Sequence, residues 1–131
     1  MLLLDTDVCV DVLRGVPDVV DEVASLEMTG RLAISALTVH ELWEGMYGSA
    51  ALSKRAAELE RFLTTFDIVA YDEEAARIGG RLAGDLARAG KPIGDVDTMI
   101  AATAVHVGAT IVTRNLRHFK HVPGLKLHAI G

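Results

Sequence analysis

Asp95-Val96-Asp97-Thr98-Met99-Ile100-Ala101-Ala102-Thr103-Ala104-Val105-His106-Val107-Gly108-Ala109-Thr110-Ile111-Val112-Thr113 sets two carboxylates one residue apart ahead of a helix-length segment that is apolar nearly all round. A glycine and a second, shorter apolar run follow. A helix with no polar face has to be buried. The run Ala109–Thr113 shows no alternation, which suits a strand covered on both faces of a parallel sheet. A buried helix feeding a doubly covered strand is half of a βαβ unit. Upstream, Pro92 and Gly94 end whatever precedes, Asp95 reads as the N-cap, and Asp97 falls in the first turn. Both charges then lie at the positive end of the helix dipole. That position tolerates one carboxylate readily and a second only if something else neutralises it.

The same alternation extends in both directions. Leu2-Leu3-Leu4 reads as a short buried strand ending at Asp5-Thr6-Asp7, followed by a helix to Arg14 that Gly15 and Pro17 stop, and by a second helix over about Asp18 to Met28. Leu32-Ala33-Ile34-Ser35 is strand two. Thr38-Val39-His40-Glu41 reads as a capping box, opening a helix through Leu42, Trp43 and Met46 to Gly48. A further helix starts near Ser53, with Ala56, Leu59 and Leu63 inward and Lys54, Arg55, Glu58 and Arg61 outward. Phe66–Ala70 is strand three. Asp72-Glu73-Glu74 opens a long helix in which Gly79, Gly80 and Gly84 allow close backbone approach. After strand four come Arg114-Asn115 and a weak terminal strand, Lys126–Ala129.

This pattern predicts an α/β protein: one domain over residues 1–131, in three layers, α/β/α, around a mainly parallel, doubly wound central sheet. In such sheets the site lies beyond the carboxyl ends of the strands, where the strand order changes direction. Asp5 follows strand one, Glu41 opens the helix after strand two, and Asp95 and Asp97 open the helix before strand four.

Composition narrows the function. Half of the residues are hydrophobic, yet no apolar run reaches the roughly 20 residues that span a bilayer. Asp5 cuts off the opening apolar run, so no signal peptide and no membrane partner are expected. The single Cys9 can form no internal disulfide and no cysteine metal cluster, which fits a reducing cytoplasm and a core role. Net charge is −5, but residues 113 to 131 carry Arg114, Arg117, Lys120 and Lys126 with no acid. An acidic body with a basic tail bearing His118, His121 and His128 can hold a phosphate backbone beside a cation site.

Three or four carboxylates at one sheet edge repel one another and must take up protons or hold a cation. An all-oxygen set favours Mg²⁺, with Mn²⁺ as substitute, over zinc. Such a site suits phosphoryl chemistry, because the ion lowers the pKa of an attacking water and neutralises charge on the leaving oxygen. The sequence carries no Walker loop, no GxGxxG and no seryl nucleophile motif.

Four segments resemble the PIN-domain ribonucleases of the VapC toxin type: Leu2-Leu3-Leu4-Asp5-Thr6-Asp7; Ser35-Ala36-Leu37-Thr38-Val39-His40-Glu41-Leu42; Pro92 through Ala102; and Ile111 through Asn115 with His118-Phe119 and Val122-Pro123-Gly124-Leu125. The resemblance implies a PIN-like fold and a metal-dependent endoribonuclease. It also implies the toxin half of a toxin–antitoxin pair, homodimeric and silenced by a small antitoxin. Carried over by position, Asp5 and Asp97 match metal ligands, and Glu41 matches a third acid, a ligand or water-orienting base. Many relatives place a fourth acid after strand four, where this chain has Asn115, so either Asp95 or Asn115 fills that role. Thr6, Thr113, Arg114, Asn115, Arg117 and Lys120 are candidates for RNA contact. His118-Phe119 is expected to fold the tail onto the body.

Two other readings compete. Leu4-Asp5-Thr6-Asp7-Val8 also resembles the Asp-x-Asp nucleophile motif of haloacid-dehalogenase-type Mg²⁺ phosphatases. That family, however, wants Thr or Val where Cys9 stands, and a late second Asp where Met99 stands. The other is a catalytically inactive PIN-like scaffold, against which the retention of Asp5, Glu41 and Asp97 speaks.

Overall fold

The computed structural model describes residues 1–48 and 52–131, the side chains of 52–54 excepted. In chain order the elements are β1 (Leu2–Leu4), α1 (Thr6–Leu13), α2 (Pro17–Glu27), β2 (Leu32–Ser35), α3 (Ala36–Tyr47), α4 (Leu52–Leu63) and β3 (Asp67–Val69). Then follow α5 (Glu73–Arg88), α6 (Asp95–Val107), β4 (Thr110–Thr113), α7 (Leu116–Phe119) and β5 (Lys126–Ala129). All five strands are parallel, in the order β3-β2-β1-β4-β5, so the expected mainly parallel sheet is wholly parallel. The chain winds outward from β1 through β2 to β3, then crosses to β4 and β5 on the other side. The switch point therefore falls between β1 and β4.

The apolar runs that predicted two-sided burial are buried on both sides. Leu3, Ala33 and Ile111 join Leu82, Leu86, Ile100 and Phe119 in one core, whereas Leu4, Ile34 and Val112 join Val8, Val19, Leu42 and Leu59 in the other. Leu3 faces both Ala33 and Ile111 across the sheet, which locks the register of the three central strands. α6 is the most enclosed helix: Ile100 through Ala104 have no exposed surface. Its buried hydroxyls turn back on the helix, Thr98 donating to the Gly94 carbonyl at 2.7 Å and Thr103 to the Met99 carbonyl at 2.8 Å. Cys9 is wholly buried, as its core role requires.

Several boundaries differ from expectation. Asp95 does not cap α6; Gly94 does, with φ 93° and ψ 158°, and Asp95 is an exposed residue inside the helix. A positive-φ glycine turns the Pro92–Gly94 segment directly into the helix and leaves no role for a side-chain cap. The Thr38–Glu41 capping box is likewise not formed. β2 runs into α3 without an intervening residue, so Ser35 is the N-cap, its hydroxyl accepting the Leu37 N–H at 3.0 Å. Thr38 is then buried in the first turn. A Cβ on Gly79 would overlap the Tyr71 hydroxyl and touch Ala102, so close approach holds there, but Gly80 faces open space and Gly84 meets only the tip of Arg88. Arg55, Glu58 and Arg61 are exposed as expected, whereas the side chain of Lys54 lies outside the described residues.

Candidate active site

Asp5 stands at the switch point. It leaves β1 in extended conformation and caps α1, its Oδ1 accepting the Thr6 N–H at 2.8 Å. Its Oδ2 accepts the hydroxyl of Thr113, the last residue of the neighbouring β4, at 2.8 Å. The same hydroxyl accepts the Asn115 N–H at 2.8 Å. The Asp5 carboxylate is thereby held between the head of α1 and the end of β4, and the residue is only 5% exposed.

Glu41 lies in the second turn of α3 and receives the Thr6 hydroxyl proton at 2.6 Å; Thr6 Oγ1 is also 3.0 Å from Thr38 Oγ1. One hydroxyl from the head of α1 thus orients the α3 carboxylate. Asp97, half-buried in the first turn of α6, has its Oδ2 2.7 Å from His118 Nδ1 on α7.

Burial, then the charge of Asp7, push the Asp5 carboxyl up to about 7; the bonds from Thr113 and Thr6 pull down against them, and the charge of Asp97 adds to the rise. Asp7 is itself raised by burial, and its Oδ1 is a buried oxygen without a hydrogen-bond partner among the described residues. Both charges acting on Asp5 are therefore negative. A divalent cation fits this donor set: it is all oxygen, it contains an orphaned carboxylate atom, and positive charge is what the buried acid lacks. Among the described residues no three His, Cys, Asp or Glu side chains converge closely enough to hold an ion alone. Mg²⁺ does not demand such a cage, since it commonly binds through one or two carboxylates and keeps several waters.

The RNA-contact candidates separate. Thr113 is wholly buried on Asp5, and the Thr6 hydroxyl is engaged with Glu41, which takes both away from a phosphate. Arg114 is ion-paired with Asp11, which raises its pKa. Asn115 is the half-buried N-cap residue of α7, while Arg117 and Lys120 are exposed. Lys126, the other cation of the tail, begins β5 opposite Thr110, at the amino end of the strands, whereas Asp5 lies beyond their carboxyl ends. The His118-Phe119 pair does fold the tail onto the body, Phe119 being wholly buried. The contact of His118 with Asp97 and the contact of Thr6 with Glu41 were not legible, because each joins elements far apart in the chain.

A wholly parallel sheet with carboxylates from three βα units at its switch end is the architecture of a PIN domain. The family described as "PIN domain" matches residues 2–125, and the chain belongs to that family. Among its relatives, the tRNA(fMet)-specific endonuclease VapC of Salmonella typhimurium is 36% identical over 125 residues, covering 95% of this chain and 94% of that one. Ribonuclease VapC19 of Mycobacterium tuberculosis is 40% identical over 127 residues, covering 96% and 98%. Among solved structures, VapBC2 of Rickettsia felis bound to a promoter DNA fragment superposes with a TM-score of 0.92 at 29% identity, covering 99% of this chain and 98% of that one. DNA-bound VapBC of Salmonella typhimurium gives 0.90 at 34%, covering 98% and 96%. These matches over nearly the whole length set aside the haloacid-dehalogenase reading.

Proposed function

We propose that this protein is a Mg²⁺-dependent endoribonuclease that hydrolyses RNA phosphodiester bonds, the toxin of a type II toxin–antitoxin pair, with Mn²⁺ as a substitute ion. The observation that carries the reading is Asp5, held between the head of α1 and the end of β4 by Thr6 and Thr113 and raised first by its burial, then by the like charge of Asp7, with Asp97 adding to the rise. Asp5 and Asp97 would hold the ion. When bound, it supplies an activated water and neutralises charge on the leaving oxygen. Glu41, oriented by Thr6, serves as third ligand or water-orienting base. Asn115 is better enclosed than Asp95 as the fourth polar group, since Asp95 is exposed. Arg117 and Lys120 offer positive charge to the RNA backbone.

A small antitoxin is the expected partner, because the similar solved structures are VapBC complexes. The buried free thiol of Cys9 fits a reducing cytoplasm. A homodimer is supported by Tyr47, 69% exposed with its ring 5.9 Å from that of Trp43, whereas Met46 on the same helix is buried in the core. Sedimentation at micromolar concentration should show the dimer, and the 14.0 kDa monomer alone would reject it.

The decisive experiment is cleavage of a defined RNA panel with Mg²⁺, with Mn²⁺ and with excess EDTA, by wild type and Asp97→Asn. Activity should need the ion and fall by orders of magnitude in the variant, which keeps the shape of the side chain but loses the charge. The metal-free variant should be as stable as wild type or more so, through relief of repulsion. Undiminished cleavage in EDTA, or wild-type cleavage by folded Asp97→Asn, would refute the assignment.

A further inference from the structure

α7 is a single turn whose Phe119 is wholly buried in the core beside α5 and α6. The turn is fixed by the His118 N–H donating to the Asn115 carbonyl at 3.1 Å and the Lys120 N–H donating to the Leu116 carbonyl at 2.9 Å. Its entry is tied to Thr113 through the Asn115 N–H. His118, next to the anchor, therefore has its backbone placed by the core, and its Nδ1 lies 2.7 Å from Asp97 Oδ2. The imidazole is the one hydrogen-bond partner of that carboxylate among the described residues. An ionised carboxylate can only accept, so this contact is a hydrogen bond to that form in the tautomer with the proton on Nδ1. Engaging one oxygen fixes the plane of the carboxylate and leaves the other free for a ligand. Groups that hydrogen-bond a metal-binding carboxylate in this way commonly matter to the affinity of the site.

We propose that His118 is a positioning residue for Asp97, its Nδ1–H holding Oδ2 so that the carboxylate is oriented toward a divalent cation shared with Asp5. The proposal rests on the Mg²⁺ reading above, and its test separates the two. The readout is the Mg²⁺ concentration giving half of the maximal shift in Tm, measured on wild type, His118→Ala, His118→Asn, His118→Gln and Asp97→Asn. His118→Ala should raise that concentration by about 10–100-fold. His118→Asn, whose amide N–H falls near the position of Nδ1, should restore most of the loss; His118→Gln, which reaches toward Nε2 instead, should not. A purely structural role would not rank the three variants this way.

In a ¹⁵N-imidazole NMR spectrum of metal-free wild type at pH 8, Nδ1 of His118 should bear the proton; this measurement needs no variant to fold. A bare Nδ1, or an unchanged Mg²⁺ midpoint in His118→Ala while Asp97→Asn has lost its Mg²⁺ response, overturns the positioning role alone. A wild-type Mg²⁺ response in Asp97→Asn overturns the metal reading beneath it.

Discussion

The hydroxyl of Thr113 stabilises the charged form of the most deeply buried acid while its own position is held by the Asn115 N–H. Replacing it with Val keeps the branched shape but strips a donor from Asp5 and leaves a backbone N–H unpaired. At pH 8, where Asp5 is ionised, Thr113→Val should cost about 1–3 kcal/mol in urea unfolding of the metal-free protein, and Thr113→Ser should cost less. A Val variant as stable as wild type would mean that Asp5 draws nothing from this bond. The position of the candidate acids at the strand ends was legible, because carboxylates after apolar runs stand out in the sequence. Their partners were not. Thr38-Val39-His40-Glu41 satisfied a local motif, but the contact that forms runs from Glu41 to Thr6, 35 residues away, and no pattern within one helix could reveal it.

Apart from the single turn α7, too short to carry a periodic signal, the order and type of the elements followed from hydrophobic period and turn residues, whereas the caps did not, because a cap is set by how the chain enters the helix. The last strand residue doubles as cap at Ser35, and a positive-φ glycine replaces the side-chain cap at Gly94. Glycines within α5 show the same limit, since Gly79 and Gly80 are adjacent in sequence and differ wholly in surroundings. Gly80 faces open space, so Gly80→Ala should stabilise the protein by about 0.5–1 kcal/mol through helix propensity. Gly79→Ala must displace the Tyr71 hydroxyl and press on Ala102, where α5 packs on α6, and should destabilise by about 1–3 kcal/mol. Urea midpoints of the two variants check this. If both move the same way, the close approach at Gly79 is not what holds α5 against α6.

For the molecule as a whole, a candidate site centred on one buried acid implies a stability that depends on pH and on the ion together. Folded, Asp5 keeps its proton up to about 7; unfolded, it gives the proton up near 3.8. Between those values the folded state binds more protons, so this group makes metal-free stability fall as pH rises through the window. Below 3.8 no penalty exists, and above 7 it is complete. Asp72 has the opposite sign: its carboxylate accepts the Ala75 N–H at the head of α5 and faces His106, which lowers its pKa. Its stabilisation is present above the ordinary carboxylate range and is lost as pH falls through the folded value, so its window lies below that of Asp5.

The difference in Tm between wild type and Asp5→Asn therefore isolates the Asp5 contribution, and it should move against wild type from pH 4 to pH 7. Mg²⁺ should reverse the trend, because binding displaces the proton and the gain in Tm grows as that proton becomes easier to remove, levelling off above about pH 7. A Tm difference flat across the window, or a Mg²⁺ shift equal at pH 5 and pH 8, would show that the repulsion at Asp5 is not what the ion relieves.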